Sequence, residues 1–122
     1  MTRRRVLVIE DERLLGEAMC EILGDDHDVE LATTVAAATK RLREDGSFEV
    51  ILCDVQLPDG TAAQIYAAYC AVWPDRARRF VFLSGGTDDP AVRSLFAKHR
   101  VLRKPFDLDV LPDIIASVVG IA

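Results

Sequence analysis

The sequence predicts a single α/β domain over residues 1–122, built as (βα)5 with a doubly wound, parallel five-stranded sheet. Three observations carry this expectation. Short apolar runs alternate with segments of helical periodicity along the whole chain. Three of those runs are nearly continuous in apolar residues, as strands covered on both faces must be. No repeat, low-complexity stretch or linker breaks the alternation, so one core serves every element. Right-handed crossovers between successive strands make such a sheet parallel and put helices on both of its faces.

The continuous runs are "RVLVI" (Arg5–Ile9), "FEVILC" (48–53) and "FVFLS" (Phe80–Ser84), read as the first, third and fourth strands. "HDVELAT" (27–33) alternates in polarity, as an edge strand does, and "RVLR" (Arg100–Arg103) is a short fifth strand supported mainly by its surroundings. Leu15, Ala18, Met19 and Ile22 mark the first helix, with Gly24 as its stop. Val35, Ala38 and Leu42 mark the second, after Thr34 and before Gly46. The third carries Ile65, Ala68, Tyr69 and Val72 and is halted by Pro74. Asp89 caps the fourth and Pro90 takes its first position, leading into Val92, Leu95 and Phe96. Leu111, Ile114, Ile115 and Val118 form the last stripe, which accommodates Pro112 only if the helix starts near residues 107–109.

Composition narrows the function. Half of the residues are hydrophobic and 29% are charged, an ordinary balance for a globular domain. A net charge of -5 without a basic stripe argues against direct nucleic-acid binding, and Arg3, Arg4 and Arg5 are too short a run to change that. The sequence offers no membrane span and no signal-peptide pattern. Cys20, Cys53 and Cys70 are odd in number and widely spaced, which suits packed thiols in a reducing, cytoplasmic setting.

In an open parallel sheet the site lies beyond the carboxyl ends of the strands. There the first strand delivers Glu10, Asp11 and Glu12, and the third delivers Asp54. The fourth delivers Ser84, Gly85 and Gly86; the fifth delivers Lys104, then Pro105 and Phe106. Singly, each has an ordinary structural reading. Asp11 and Glu12 suit a helix start, Pro58-Asp59-Gly60 is first a turn, and Lys104 alone is a surface lysine. Together they place acid, acid, hydroxyl and cation at one crevice. Two nearby carboxylates repel unless a cation neutralises them, and a hard divalent ion such as Mg²⁺ takes oxygen ligands while keeping several waters. Beside it Lys104 supplies a point charge to a phosphoryl oxygen, and Ser84 and the amides after it, Gly85 first, donate hydrogen bonds. Asp54 is then a carboxylate nucleophile able to form an aspartyl phosphate.

With "IEDE" after the first strand, "LPDG" after Asp54, "LSGG" closing the fourth strand and "KPF" closing the fifth, the sequence resembles the receiver domains of two-component response regulators over residues 4–119. The resemblance implies the flavodoxin-like strand order 2-1-3-4-5. It implies Asp54 as phosphoacceptor from a histidine kinase or histidine phosphotransfer protein, a domain that supports its own phosphorylation and is not otherwise an enzyme. Mg²⁺ would be bound by Asp11, Asp54 and the backbone carbonyl of Gln56, with Glu10 acting through water. Ser84 takes the switch position and Lys104 the lysine position, with the Lys104–Pro105 peptide cis. Val101 stands where many members carry a switching aromatic, which shifts the expected readout to Ser84 and to the face of the last two helices. That face and the fifth strand are also the expected dimer surface.

"VFLSGG" and "LRKPFDLDVL" are similar to receivers at the C-terminal end of hybrid sensor kinases, which favours a relay module over a free-standing regulator. A degenerate receiver kept only for protein interaction is the alternative, and the retained acids, hydroxyl and lysine argue against it. A phosphatase with an aspartyl-phosphate intermediate would want a second acid where Gln56 stands, and a nucleotide-binding domain would want a glycine-rich first turn. His27 and His99 are expected at the surface, and Trp73 as the anchor of a helix end.

Overall fold

The apolar runs fold as the central strands, and the alternation of helix and strand winds them into one sheet. A computed structural model describes residues 2–120. In chain order the elements are β1 (Arg5–Ile9), α1 (Arg13–Gly24), β2 (Asp28–Ala32), α2 (Val35–Glu44), β3 (Val50–Asp54), β4 (Gln56–Leu57) and β5 (Gly60–Thr61). Then come α3 (Ala62–Val72), a 3-10 turn at Pro74–Arg79, β6 (Phe80–Ser84), α4 (Pro90–Phe96), β7 (Arg100–Arg103), a 3-10 turn at Leu108–Val110 and α5 (Leu111–Val119). The main sheet runs β2-β1-β3-β6-β7 with every pair parallel. Counted within that sheet, this is the order 2-1-3-4-5. β4 and β5 form a separate two-stranded antiparallel hairpin.

Alternate strand residues enter two cores, as the pleat requires. Leu7, Ile9, Ile51, Cys53, Phe80 and Phe82 pack with residues of α2, α3 and α4. Val6, Val8, Val50, Leu52, Val81 and Leu83 pack with α1 and α5 on the other face. All residues of β3 and β6 are buried, whereas the edge strands β2 and β7 are mostly half-buried. No helix among the described residues is long and apolar enough to cross a membrane.

Local chemistry explains the boundaries. Thr34 Oγ1 accepts from Ala37 N at 3.0 Å at the start of α2. Asp89 caps α4 by accepting from Ala91 N and Val92 N, with Pro90 in the first turn where its missing N–H costs nothing. The turn at Leu108–Val110 leads into α5, so Pro112 falls in the first helical turn.

Several expectations need correction. The third strand starts at Val50 and runs through Asp54, so the acid closes the strand itself and Phe48 precedes it. α1 does end at Gly24, though the glycine that closes a helix in left-handed conformation is Gly120, φ 76°. Val72, the last residue of α3, is 58% exposed, and the buried stripe of that helix is Ala62, Ile65 and Tyr69. His27 is buried, its Nδ1 accepting from Arg4 N at 3.1 Å. His99 is half-buried, its ring edge-on to Tyr66 and Phe82 and its Nε2 hydrogen-bonded to Tyr66 Oη at 3.0 Å. Trp73 does anchor a helix end, its ring packed at a tilt against Tyr69 and covered by the Arg76 guanidinium 4.7 Å from its centre.

Candidate phosphoacceptor site

The parallel register decides which side chains meet. Ile9 pairs with Cys53, and Asp54 with Leu83, so the residues just beyond β1, β3 and β6 leave the sheet at the same level. Glu10, Asp11 and Asp54 offer oxygens that all lie within 4.8 Å of one another. Glu10 is fully buried, Asp54 is 6% exposed, and Asp11 faces solvent. From β7, Lys104 reaches across the edge: Nζ lies 2.5 Å from Glu10 Oε1 and 3.2 Å from Asp54 Oδ2. Its backbone N donates to Ser84 O at 2.8 Å, and the Lys104–Pro105 peptide is cis.

The loop after β3 folds back on the acid. Gln56 N points at Asp54 Oδ1, 3.4 Å away, and Ala62 N donates to Val55 O at 3.1 Å. Ser84 is buried one residue beyond the register partner of Asp54, and its Oγ accepts from Gly86 N at 3.0 Å. Gly85 is exposed beside it, and Gly86 has a φ of 115° that favours glycine. Half-buried Val101 lines, with Ser84, Thr87, Phe96 and Arg103, a crevice of about 640 Å³.

Electrostatics separates the acids. Burial raises the Asp54 pKa to about 7, reinforced by the neighbouring Glu10 and opposed by Lys104. Burial also pushes on Glu10, but the bonds it takes from Asp54, Lys104 and Glu12 N prevail and hold it below the ordinary carboxylate range. Burial works against the Lys104 ammonium too; Glu10 and Asp54 outweigh it and raise its pKa. Glu10 and Asp54 thus share one lysine, and burial, reinforced by the neighbouring Glu10, leaves Asp54 partly protonated near neutrality. Hard carboxylate oxygens, surplus negative charge and one open side are what a divalent cation with retained waters requires.

Thus the structure brings Glu10, Asp11, Asp54 and Lys104 into direct proximity, with Gln56, Ser84 and Gly85 bordering them. Two features were not legible in the sequence. Lys104 is engaged by Glu10 as well as by Asp54. Asp59, read as part of a turn, accepts from Val35 N at 2.7 Å and from Ala36 N at 3.0 Å, at the start of α2. Only the strand order places residue 59 beside residue 35, and no local signal announces the contact.

No family model matches the sequence, and no curated protein does. Solved structures do. A response regulator receiver domain protein from Clostridium thermocellum is similar over 96% of this chain and 94% of its own, at 22% identity and a TM-score of 0.83. The non-phosphorylated HemR receiver domain from Leptospira biflexa is 28% identical, with a TM-score of 0.78 over 98% of this chain and 97% of its own. The chemotaxis protein CheY4 from Vibrio cholerae is 21% identical, with a TM-score of 0.81 over 96% and 99%. The chain is folded as a receiver domain.

Proposed function

We propose that this chain is a phosphoacceptor receiver of a two-component relay, with Asp54 taking a phosphoryl group from a phosphohistidine. The observation that carries the reading is the clustering of Glu10, Asp11 and Asp54 at one sheet edge, faced by Lys104. A carboxylate oxygen of ionised Asp54 attacks phosphorus as the P–N bond breaks, and its electron pair leaves with the imidazole, neutral because the ring was protonated. The product is an aspartyl phosphate. Asp11, Asp54 and the Gln56 carbonyl would hold Mg²⁺, with Glu10 reaching it through water. When bound, that ion neutralises the acids and the phosphoryl oxygens.

Lys104 then exchanges one of its carboxylate partners for a phosphoryl oxygen. Ser84 Oγ accepts from Gly86 N, which leaves its own O–H to donate to another phosphoryl oxygen, and the Gly85 amide borders the same position. With valine at position 101, movement of Ser84 toward the phosphoryl group is the main readout, felt by α4, β7 and α5. That face serves a protein partner or a second copy. The donor is a histidine kinase or phosphotransfer protein in the cytoplasm, and the chain functions as a relay module of a hybrid kinase.

Intact-mass analysis after incubation with Mg²⁺ and acetyl phosphate tests the reading. One labile phosphoryl adduct is expected, absent without Mg²⁺ and absent in Asp54→Ala. An unlabelled wild type, with acetyl phosphate and with a phosphorylated histidine phosphotransfer protein alike, overturns it.

A further inference from the structure

The loop that follows Asp54 is held from two sides. β4 and β5 pair Gln56 with Thr61 and Leu57 with Gly60, leaving Pro58 and Asp59 at the tip. On one side Gln64 Oε1 accepts from Thr61 N at 2.9 Å, fastening the hairpin to α3. A Cβ added at Gly60, φ 156°, would stand 1.9 Å from that oxygen and 3.2 Å from Val35 Cγ2, so the hairpin sits tightly between α3 and α2. On the other side the Asp59 carboxylate takes the N–H groups of Val35 and Ala36, the first two residues of α2. A helix leaves its first N–H groups without internal partners. Here Thr34 satisfies the third of them, Ala37 N, and a residue from the phosphoacceptor loop satisfies the first two. The amides also hold the Asp59 pKa below the usual carboxylate range, so the clamp is charged at neutral pH.

We infer that Asp59 is a positioning residue that couples the cation site to α2, fixing the loop that presents the Gln56 carbonyl and tightening the first turn of α2 when a cation binds. The inference rests on the reading of Glu10, Asp11 and Asp54 as a cation site. Coupling of this kind is reciprocal: if an ordered α2 start favours the cation, the cation must order the α2 start to the same degree. α2 thereby becomes a responsive element on the flank of the molecule opposite α4 and β7.

The test is an NMR titration of the labelled chain with Mg²⁺ alone, comparing wild type, Asp59→Ala, Asp59→Asn and Thr34→Ala. Thr34→Ala removes a cap from the same helix without touching the loop, and so controls for loss of helix stability. Expected are an Mg²⁺ Kd about fivefold weaker in Asp59→Ala, an intermediate value in Asp59→Asn, and an unchanged value in Thr34→Ala. In wild type, Mg²⁺ should also slow hydrogen exchange at the Val35 and Ala36 amides, and in Asp59→Ala it should not. Equal weakening by Asp59→Ala and Thr34→Ala overturns the inference, as does a titration that moves the Asp11 and Gln56 amides but leaves Val35 and Ala36 unmoved. If no amide responds to Mg²⁺, the cation-site reading fails and takes the inference with it.

Discussion

The two edges of the sheet carry similar residues and opposite electrostatics. At the amino edge, Arg41 grips Glu30 with two bonds of 2.7 and 2.8 Å, and Arg5 binds Asp45 at 2.6 Å and Glu30 at 3.0 Å. Both guanidinium groups lie over the ring of Phe48, 4.6 and 5.3 Å from its centre. Two acids meet two bases there, and both acids are held below their ordinary pKa: Glu30 chiefly by Arg41, and Asp45 by the Ser47 hydroxyl and amide and then by Arg5. At the carboxyl edge three acids cluster beside one lysine, and burial together with the neighbouring Glu10 pushes Asp54 up to about 7. A balanced cluster is a stabilising device and needs nothing further. An unbalanced one raises the free energy of the resting protein and lowers it when a cation arrives, which is how a binding site differs from a salt-bridge network built from the same side chains.

Substitutions should therefore separate the edges. Phe48→Ala removes the buried platform under Arg5 and Arg41, and a large-to-small change at a side chain 1% exposed should cost about 3–5 kcal/mol of unfolding free energy. Mg²⁺ affinity measured on the folded fraction should stay as in wild type. Denaturant titration and calorimetry check the two halves, and a matching loss of Mg²⁺ affinity would erase the distinction between the edges. Lys104→Ala acts at the other edge, deleting the base that pairs with Glu10 and Asp54. The rate of phosphorylation by acetyl phosphate should fall about 100-fold, the effect of losing one preorganised charge at a site of developing negative charge. A rate within a fewfold of wild type would leave Lys104 a merely structural partner of Glu10.

Such contrasts also show why the sequence was informative in some places and silent in others. The apolar runs at β1, β3 and β6 and the caps at Thr34 and Asp89 are local signals, set by burial and by unpaired N–H groups, so they could be read residue by residue. The convergence of Glu10, Asp11, Asp54, Ser84 and Lys104 followed from topology, because a parallel sheet delivers its strand ends to one edge. What could not be read were the contacts that depend on register and rotamer. The reach of Lys104 to Glu10 is one, the grip of Asp59 on α2 is another, and the burial of His27 under Arg4 N is a third. Val72 differs for a related reason: it shares the helix face of buried Ile65, but as the last residue of α3 it is exposed, and a periodic stripe does not show where packing stops.

The surplus acid at the carboxyl edge makes a signed prediction for stability. The folded-state pKa of Asp54 lies above that of an exposed carboxylate, so folding favours its protonated form. Its contribution is fully present below about pH 4 and is lost as pH rises through about 7. Asp54→Asn, fixed in the neutral state, should be more stable than wild type by about 4 kcal/mol at pH 8, and the difference should vanish toward pH 4. Chemical denaturation at both pH values in the absence of Mg²⁺ measures it. A mutant no more stable than wild type at pH 8 would mean that Lys104 already compensates the acids.

The finest discriminator is the competition between proton and cation. Where Asp54 is protonated it must lose that proton to act as a ligand, so the Mg²⁺ Kd should weaken about tenfold for each pH unit below 7 and level off above it. Calorimetry in buffers of different ionisation enthalpy should record up to one proton released per ion bound at pH 6 and almost none at pH 8. Glu10→Gln sharpens the point. It removes the like charge that raises Asp54 and turns Lys104 wholly toward it, so the break in the affinity profile should move to lower pH. Deleting an acid in the balanced cluster, as in Glu30→Gln, should leave that break where it is, since no group there competes for the cation. A break that stays near 7 in Glu10→Gln would assign the shift of Asp54 to burial alone, and the carboxyl edge would then owe its chemistry to the depth of one strand end and not to the imbalance of charges around it.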